Sequence, residues 1–300
     1  MNRPPLNGVI APIPTPFDSE TGETAPVVLR HVARALMNAG LDGIAVAGST
    51  GEGELLELAE RIQLVEWLRD VVTDDKWLIA GTGFESTRAT VKASQDAASA
   101  GADAVLVRPP AYFGGILTPS QMSAHYARLA DESPIPVIIY NIPKYAHVTL
   151  DDTVLRTLAD HERIIGFKDS SGDLKSFTSL RAAAPRLVAL MGGGHLLYPA
   201  LELGAAGGIL AVACFAAESC AALYKAFRAE DRQTAGALQE KIAPIHREIV
   251  GAFGPAGIKA AMEIVGLPMG PVRSPLVDLD TRQRLRVADA LAAAGLRAAA

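Results

Sequence analysis

One segment with strand character, Ile164-Ile165-Gly166-Phe167, leads directly into a lysine, Lys168. It is one of eight short runs that recur along the chain. Most of them are apolar throughout and do not alternate with polar residues, which is typical of strands buried on both faces of a parallel sheet. The runs are residues 8–11, 43–47, 77–80, 104–107, 137–140, 164–167, 187–190 and 208–212.

Segments with helical periodicity separate these runs. The clearest are residues 54–72, 87–100 and 118–129. Thr118 can cap the third of them, and Pro119 suits its first helical position. A glycine is expected to end a helix just before the chain re-enters the sheet at three places: Gly40, Gly101 and Gly204.

Eight β-α units predict an α/β protein with a (β/α)8 TIM barrel. The remainder is alanine-rich and helical, so we expect a barrel over residues 1–217 and a C-terminal helical extension, residues 218–300, packed on it. A doubly wound sheet is the alternative. It is less favoured because no G-x-G-x-x-G opens a helix after the first strand, and Gly81-Thr82-Gly83 has only half of that pattern.

Composition excludes several classes of protein. The chain has 300 residues, a net charge of -5 and no basic stripe, which argues against a nucleic-acid partner. No apolar run reaches the roughly 20 residues of a membrane helix. The two cysteines, Cys214 and Cys220, lie among apolar residues and indicate no disulfide framework, so we expect a cytoplasmic protein. The six histidines have no ligand spacing, and we expect no metal.

Lys168 is the first candidate for chemistry. Active residues of such barrels lie at the carboxyl ends of the strands, and Lys168 directly follows a strand-like run. Burial disfavours the charged form of a lysine, and a neutral amine can attack a ketone to form a Schiff base. The alternative interpretation is that Lys168 pairs with Asp169 or another carboxylate at the barrel rim.

Tyr140 closes the strand before the one that carries Lys168. Adjacent strand ends lie within side-chain reach, so the phenol is positioned to move a proton to and from a carbinolamine. A half-buried aromatic with a satisfied hydroxyl is the alternative.

The segment Gly48-Ser49-Thr50-Gly51-Glu52 lies between a strand and a helix. Its glycines permit close approach of the backbone to a ligand, and its hydroxyls with the amides at the helix start suit a carboxylate. The alternative is a plain helix cap by Ser49 or Thr50.

His195 follows the glycines Gly192-Gly193-Gly194, and it is either a substrate contact or a solvated or capping residue. No G-x-S-x-G indicates a serine hydrolase.

Taken together, these residues resemble the dihydrodipicolinate synthase / N-acetylneuraminate lyase family of Schiff-base aldolases. The resemblance covers essentially the whole chain. The matching segments are 14–17 (PTPF), 48–52 (GSTGE), 140–143 (YNIP), 165–173 (IGFKDSSGD), 257–259 (GIK) and 271–276 (PVRSPL).

The resemblance implies a TIM barrel with a helical tail, assembled as a homotetramer (a dimer of dimers). It implies that Lys168 forms an imine with pyruvate or another 2-oxo acid, with no metal or organic cofactor because the protonated imine is the electron sink. Tyr140 would be the proton relay, helped by Ser49 and by Tyr112 of a neighbouring subunit. The substrate-binding residues would be Thr50 and the Ser49-Thr50 amides for the carboxylate, Gly48 and Gly51 in the same turn, and Gly192 and Ile209 in the imine pocket.

Two departures bear on the second substrate. Where the lysine-pathway synthase has an arginine that binds the carboxylate of its second substrate, this chain has Tyr145. Arg108 near a strand end suits a different acidic or hydroxylated substrate. The sequence around Tyr112 and the segment Phe253-Gly254-Pro255 are similar to 4-hydroxy-2-oxoglutarate aldolase and its sugar-acid relatives.

The leading hypothesis is therefore a pyruvate-dependent class I aldolase or lyase. It would act on small molecules, a 2-oxo acid and an aldehyde, with a product of the 4-hydroxy-2-oxo acid or 2-keto-3-deoxy sugar acid type. The alternatives are 4-hydroxy-tetrahydrodipicolinate synthase, which joins pyruvate to aspartate semialdehyde, a 2-keto-3-deoxy sugar acid dehydratase, and a non-catalytic 2-oxo acid binding protein.

Overall fold

Eight parallel strands close into a barrel in sequence order, with β8 pairing back to β1, in a computed structural model that describes residues 4–296. Each predicted strand run is present, so the (β/α)8 barrel is confirmed. The strands are β1 Gly8–Pro12, β2 Gly43–Val46, β3 Trp77–Gly81, β4 Ala104–Val107, β5 Val137–Asn141, β6 Ile164–Asp169, β7 Val188–Met191 and β8 Gly207–Ile209.

The strands are apolar throughout because both of their faces are buried. In β5, Val137 and Ile139 pack outward under the helices, whereas Ile138 and Tyr140 point into the barrel interior. This two-residue alternation along each strand fixes which side chains reach the interior.

Within the described residues twelve α-helices surround the barrel strands or form the C-terminal tail. They are α1 Pro26–Asn38, α2 Leu58–Arg69, α3 Thr87–Ser99, α4 Pro119–Glu132, α5 Pro143–Ala146, α6 Asp152–Leu158, α7 Leu174–Ala183, α8 Leu197–Glu202, α9 Ala217–Arg228, α10 Arg232–Ile245, α11 Ala252–Ile264 and α12 Thr281–Ala293.

The predicted helix boundaries at α4 and at the three glycines are confirmed. Thr118 caps α4: its Oγ1 accepts from the Gln121 amide, and its own amide donates to Gln121 Oε1 at 2.8 Å. The glycines adopt the positive φ that a helix stop requires: Gly40 (+89°), Gly101 (+101°) and Gly204 (+90°).

The end of the eighth strand differs from the sequence prediction. β8 stops at Ile209, and Ala211–Cys214 forms a 3₁₀ turn that is wholly buried. A short apolar run has the same sequence pattern in a buried strand and in a buried turn, so periodicity could not distinguish the two.

The C-terminal helices cover the carboxyl end of the barrel. Pro244 interrupts the last turn of α10, and the chain continues as a π-helical segment, His246–Gly251, into α11. A proline has no N–H, so it removes one hydrogen bond from the helical ladder at this point. Within α11 the backbone kinks again at Gly254, where φ is +56°. The predicted division of the chain at residue 217 stays a prediction.

Cys214 and Cys220 are free and buried, and burial raises the pKa of Cys220 to about 12. Among the described helices none is long and apolar enough to cross a membrane.

Candidate active site

Two side chains of neighbouring strands meet inside the carboxyl end of the barrel. Tyr140 lies directly opposite Lys168 in the β5–β6 register, and Lys168 Nζ is 4.1 Å from the centroid of the Tyr140 ring. Tyr140 follows the inward-pointing Ile138 by two residues, so strand alternation turns it inward, and the register brings Lys168 to its side. Each side chain is only 5% exposed. The structure thus brings together the two residues on which the sequence argument depends.

Lys168 Nζ has no hydrogen bond or ion pair with any residue between 4 and 296. The adjacent carboxylate of Asp169 is engaged elsewhere, because Asn141 Nδ2 and Ser171 Oγ each donate to it at 2.8 Å. The pKa of Asp169 is raised because burial outweighs these hydrogen bonds, which on their own would lower it. The alternative interpretation, in which Lys168 pairs with Asp169, is not what the structure shows.

A second lysine is equally buried, and the sequence argument missed it. Lys259 on α11 is 4% exposed, and its Nζ lies 2.8 Å from Glu52 Oε1 and donates to the Pro271 carbonyl at 2.6 Å. Burial lowers the pKa of Lys259, and Glu52 opposes that shift. Burial alone therefore does not distinguish Lys168; the absence of a carboxylate partner for its amine within the described chain does.

A cavity of about 240 Å³ opens above Lys168 and Tyr140. It lies at the carboxyl end of the strands, where barrel enzymes bind their ligands. Seven of the residues predicted from the sequence line it: Ser49, Thr50, Tyr140, Tyr145, Lys168, Gly192 and Ile209.

Gly192 lines the cavity where its backbone passes close to Ser170 and Asp169. A Cβ at this position would lie 1.9 Å from Ser170 Oγ and 2.9 Å from the Asp169 carbonyl oxygen. The Gly192 amide donates to the same carbonyl at 2.7 Å, so the backbone here cannot retreat without losing a hydrogen bond. A side chain at this position would collide with Ser170, so only glycine fits here.

The turn after β2 presents Ser49 and Thr50 to the cavity. Neither of their amides donates a hydrogen bond to a described residue, so both are available to an anion. Gly51 does not line the cavity; its carbonyl accepts a 2.6 Å hydrogen bond from Thr15 Oγ1, which holds the turn against the end of β1. Gly48 also lies outside the cavity lining and belongs to the turn.

The expectation that these amides open a helix is wrong. After the turn the chain forms a 3₁₀ turn, Gly53–Leu55, and α2 begins only at Leu58. Glu57 and Glu60 form the capping box of α2, so neither Ser49 nor Thr50 is its cap. The dipole of α2 therefore does not act at the turn, and the free amides of Ser49 and Thr50 are the groups that can donate to an anion.

Helix α5 and the π-helical segment form the outer wall of the cavity. Lys144 Nζ donates to the Gly251 carbonyl at 2.9 Å and so joins the two. Tyr145, beside it, is 47% exposed, and burial of its inner part raises the pKa of its phenol. Tyr145 thus stands at the mouth of the cavity.

Like Gly48 and Gly51, the predicted residues Arg108 and Tyr112 lie outside this cavity. Arg108 is held by ion pairs to Glu54 (2.8 Å) and Glu85 (3.0 Å) and faces an adjoining groove of about 520 Å³. Its charge is already balanced by these carboxylates. Tyr112 is 83% exposed and touches neither cavity in the single chain, where its ring packs edge-on against Phe113.

The cavity also contains side chains that the sequence argument did not assign. His246, from the π-helical segment, stacks on His195 with ring centroids 4.6 Å apart. The glycine run before His195 was a signal for that residue, but nothing in the sequence marks the helical face of His246. Within residues 4–296 no three His, Cys, Asp or Glu side chains are grouped as metal ligands would be.

Solved structures share this architecture. YagE, a prophage protein of the dihydrodipicolinic acid synthase family from E. coli K12 solved with pyruvate, superposes with a TM-score of 0.92 at 28% identity over 98% of this chain and 100% of that one. The pyruvate complex of dihydrodipicolinate synthase from Acinetobacter baumannii gives a TM-score of 0.91 at 29% identity over 97% and 99% of the two chains.

Curated sequences agree with the structural match. An uncharacterized DapA-like lyase of Halobacterium salinarum is 37% identical over 97% of this chain and 95% of its own. A 4-hydroxy-tetrahydrodipicolinate synthase of Synechococcus sp. (strain WH7803) is 33% identical over 96% of this chain and 95% of its own.

The barrel and its relatives define an enzyme, a Schiff-base-forming lyase of the pyruvate-dependent class I aldolase type. The chain belongs to the dihydrodipicolinate synthetase family, whose model matches residues 5–294.

Proposed function

We propose that Lys168 Nζ forms an imine with pyruvate or a closely related 2-oxo acid and that the enzyme makes or cleaves a C–C bond between this carbon skeleton and an aldehyde. One observation carries the proposal: the Lys168 amine is buried, has no carboxylate partner among residues 4–296, and lies beside the Tyr140 ring in an open cavity. An amine held in this way is available as a nucleophile.

The bond changes follow from imine chemistry. The amine attacks C2 of pyruvate, water leaves, and a protonated imine forms. Loss of a proton from C3 gives an enamine, whose C3 attacks the aldehyde carbon while the aldehyde oxygen takes up a proton. Water then releases the 4-hydroxy-2-oxo acid and regenerates the amine. Cleavage is the same sequence reversed.

The proton transfers are assigned to Tyr140, with Ser49 as its partner. Both line the cavity with Lys168. Thr50 and the Ser49-Thr50 amides would bind the 2-oxo acid carboxylate, since those amides have no other described acceptor. Gly192 and Ile209 would border the imine, and Gly48 and Gly51 would shape the turn.

A homotetramer, built as a dimer of dimers, would complete this site. Tyr112, Phe113 and Ile116 expose 83%, 62% and 77% of their side chains on one surface. Exposed aromatic and aliphatic side chains in a cluster are typical of an interface. In the assembly Tyr112 would extend the proton relay of a neighbouring subunit.

We propose that the reaction needs no metal or organic cofactor, because the imine itself accepts the electron pair. We also propose that the enzyme works in the cytoplasm.

The candidate reactions differ in the aldehyde that is joined to pyruvate, and so in the acid that is made or cleaved. Acids of the 4-hydroxy-2-oxo or 2-keto-3-deoxy sugar type are favoured over aspartate semialdehyde, because Tyr145 stands at the cavity mouth and Arg108, bound to Glu54 and Glu85, lies outside the lining. The names of several relatives keep 4-hydroxy-tetrahydrodipicolinate synthase as the second candidate. Dehydration of a sugar acid would use the same imine.

Borohydride trapping tests the proposal. The enzyme is incubated with saturating pyruvate, reduced, digested and mapped by mass spectrometry. A reduced pyruvyl group is expected on Lys168. Lys259 is the internal control because it is equally buried but paired with Glu52, and it should remain unmodified. An unmodified Lys168 contradicts the proposal.

A further inference from the structure

Two histidines from distant parts of the chain form one wall of the cavity. His195 comes from the 3₁₀ turn after β7, and His246 opens the π-helical segment of the tail. Their rings stack with centroids 4.6 Å apart and planes 26° from parallel. Both rings line the cavity that contains Lys168, and His246 is 8% exposed.

The hydrogen-bonding state of the two rings follows from their burial. Nδ1 of each ring is buried without a partner among residues 4–296. A neutral imidazole carries one N–H donor and one acceptor nitrogen, and an orphaned buried N–H is rarer than an orphaned acceptor. The proton is therefore assigned to Nε2 in both rings, and Nε2 is the nitrogen that each ring can offer to the cavity as a donor.

Both rings are uncharged at neutral pH. Burial lowers the pKa of His246 to about 3, with further lowering from His195, Arg247 and Lys144. Burial and the nearby charge of Arg247 also lower the pKa of His195. No carboxylate is among the causes of either shift.

The neighbouring groups on this wall are hydroxyls. Ser170 and Ser171 line the cavity. Ser171 Oγ donates to Asp169 at 2.8 Å and accepts from the Asp173 amide at 3.2 Å, which leaves one acceptor lone pair on this oxygen. Apart from Lys168, the lining cation is Lys144, which lies at the exposed rim and donates to the Gly251 carbonyl. A carboxylate buried against two neutral rings without a cation would be costly, whereas a hydroxyl would be hydrogen-bonded at little cost.

Building on the proposed function, we propose that the His195–His246 pair is the subsite for the aldehyde portion of the substrate and selects an uncharged, hydroxyl-bearing aldehyde. The Nε2 donors of this pair and the serine hydroxyls form hydrogen bonds with the substrate hydroxyl groups that lie beyond the reacting carbon. The substrate is then a 2-oxo-3-deoxy polyhydroxy acid and not a dicarboxylate.

Three aldehydes added to pyruvate test this assignment. Glyceraldehyde is hydroxylated and neutral, propanal has the same carbon number without hydroxyls, and glyoxylate carries a carboxylate. The wild-type kcat/KM is expected to be highest with glyceraldehyde. The His195→Phe variant keeps a stacking ring but removes the donor, and it should lower kcat/KM for glyceraldehyde roughly tenfold while leaving propanal within twofold. The His195→Gln variant retains a donor and should restore most of the loss.

His161→Phe is the matched control, since His161 lies away from the cavity and contacts Asp131. An equal loss with glyceraldehyde and propanal in His195→Phe would indicate a merely structural ring and overturn the assignment. A preference for glyoxylate that disappears in Lys144→Met would also overturn it, in favour of a dicarboxylate. Borohydride trapping of pyruvate should be unchanged in His195→Phe; loss of trapping in the wild type would instead refute the imine proposal itself.

Discussion

Glu52 Oε1 lies 2.8 Å from Lys259 Nζ, and this buried ion pair joins the turn that carries Ser49 and Thr50 to helix α11. Glu52 holds the pair from a left-handed backbone conformation, with φ at +55°. Its second carboxylate oxygen accepts a hydrogen bond from the Arg273 amide at 2.7 Å. The helical tail is thus fastened to the turn that is proposed to hold the substrate carboxylate.

Removing one member of this pair should destabilise the protein strongly. In Lys259→Met the Glu52 carboxylate stays buried without its cation, and we expect the free energy of unfolding to fall by about 3–5 kcal/mol in urea denaturation. The double variant Lys259→Met/Glu52→Gln removes the orphaned charge and should lose less. Lys175→Met on the exposed face of α7 is the control. Equal stability of Lys259→Met and wild type would contradict the role of the pair.

Removing the phenol of Tyr140 should slow catalysis without preventing capture of pyruvate. We expect Tyr140→Phe to lower kcat by roughly 10²–10⁴ if the hydroxyl transfers protons. The ring that packs beside Lys168 is retained, so reductive trapping should still modify Lys168. Tyr224→Phe, outside the cavity lining, is the matched control and should keep full activity. A loss in Tyr140→Phe smaller than tenfold would remove the relay role.

The exposed Tyr112 tests whether the site is completed by a second subunit. We expect Tyr112→Phe to leave the melting temperature unchanged and to lower kcat by about 10²-fold, the low end for loss of a proton-transfer group. Sedimentation should give the same oligomeric state for both proteins. Full activity of Tyr112→Phe in the assembled enzyme would show that this hydroxyl is not part of the relay.

Acid should destabilise the fold through buried histidines. Burial lowers the pKa of His246 to about 3 and that of His125 to about 4, both from 6.5. Below pH 6.5 the unfolded chain binds protons that the folded chain does not, so stability falls as the pH is lowered towards the folded values. The loss approaches about 1.4 kcal/mol per pH unit for each histidine.

Urea denaturation between pH 7 and pH 5 measures this dependence. The His246→Gln variant should give a shallower slope than wild type by up to one proton, and His31→Gln, on an exposed face of α1, should not change it. Identical slopes for wild type and His246→Gln would contradict a buried, neutral His246.

The barrel and the lysine–tyrosine pair were predictable because both follow from short-range pattern. A buried parallel strand is an uninterrupted apolar run, and strand order in a barrel places consecutive ends side by side, so Tyr140 and Lys168 had to meet. The end of β8 was not predictable because Ala211–Cys214 is apolar in either conformation.

The remaining parts of the site depend on contacts across long sequence separations. Lys259 appears in the sequence as an ordinary helical lysine, and only the folded tail shows that it is buried against Glu52. His246 lines the cavity from the start of the π-helical segment that follows Pro244, 78 residues after Lys168 in the sequence. A helical wheel drawn for regular winding cannot locate such a residue.

The π-helical winding at His246–Gly251 has a consequence for how this enzyme can diversify. The strands hold Lys168 and Tyr140, whereas the tail contributes His246 through a locally altered helix. The reacting pair is thus held by the strands, whereas one half of the proposed aldehyde subsite comes from the tail, where it can be substituted without altering the barrel strands.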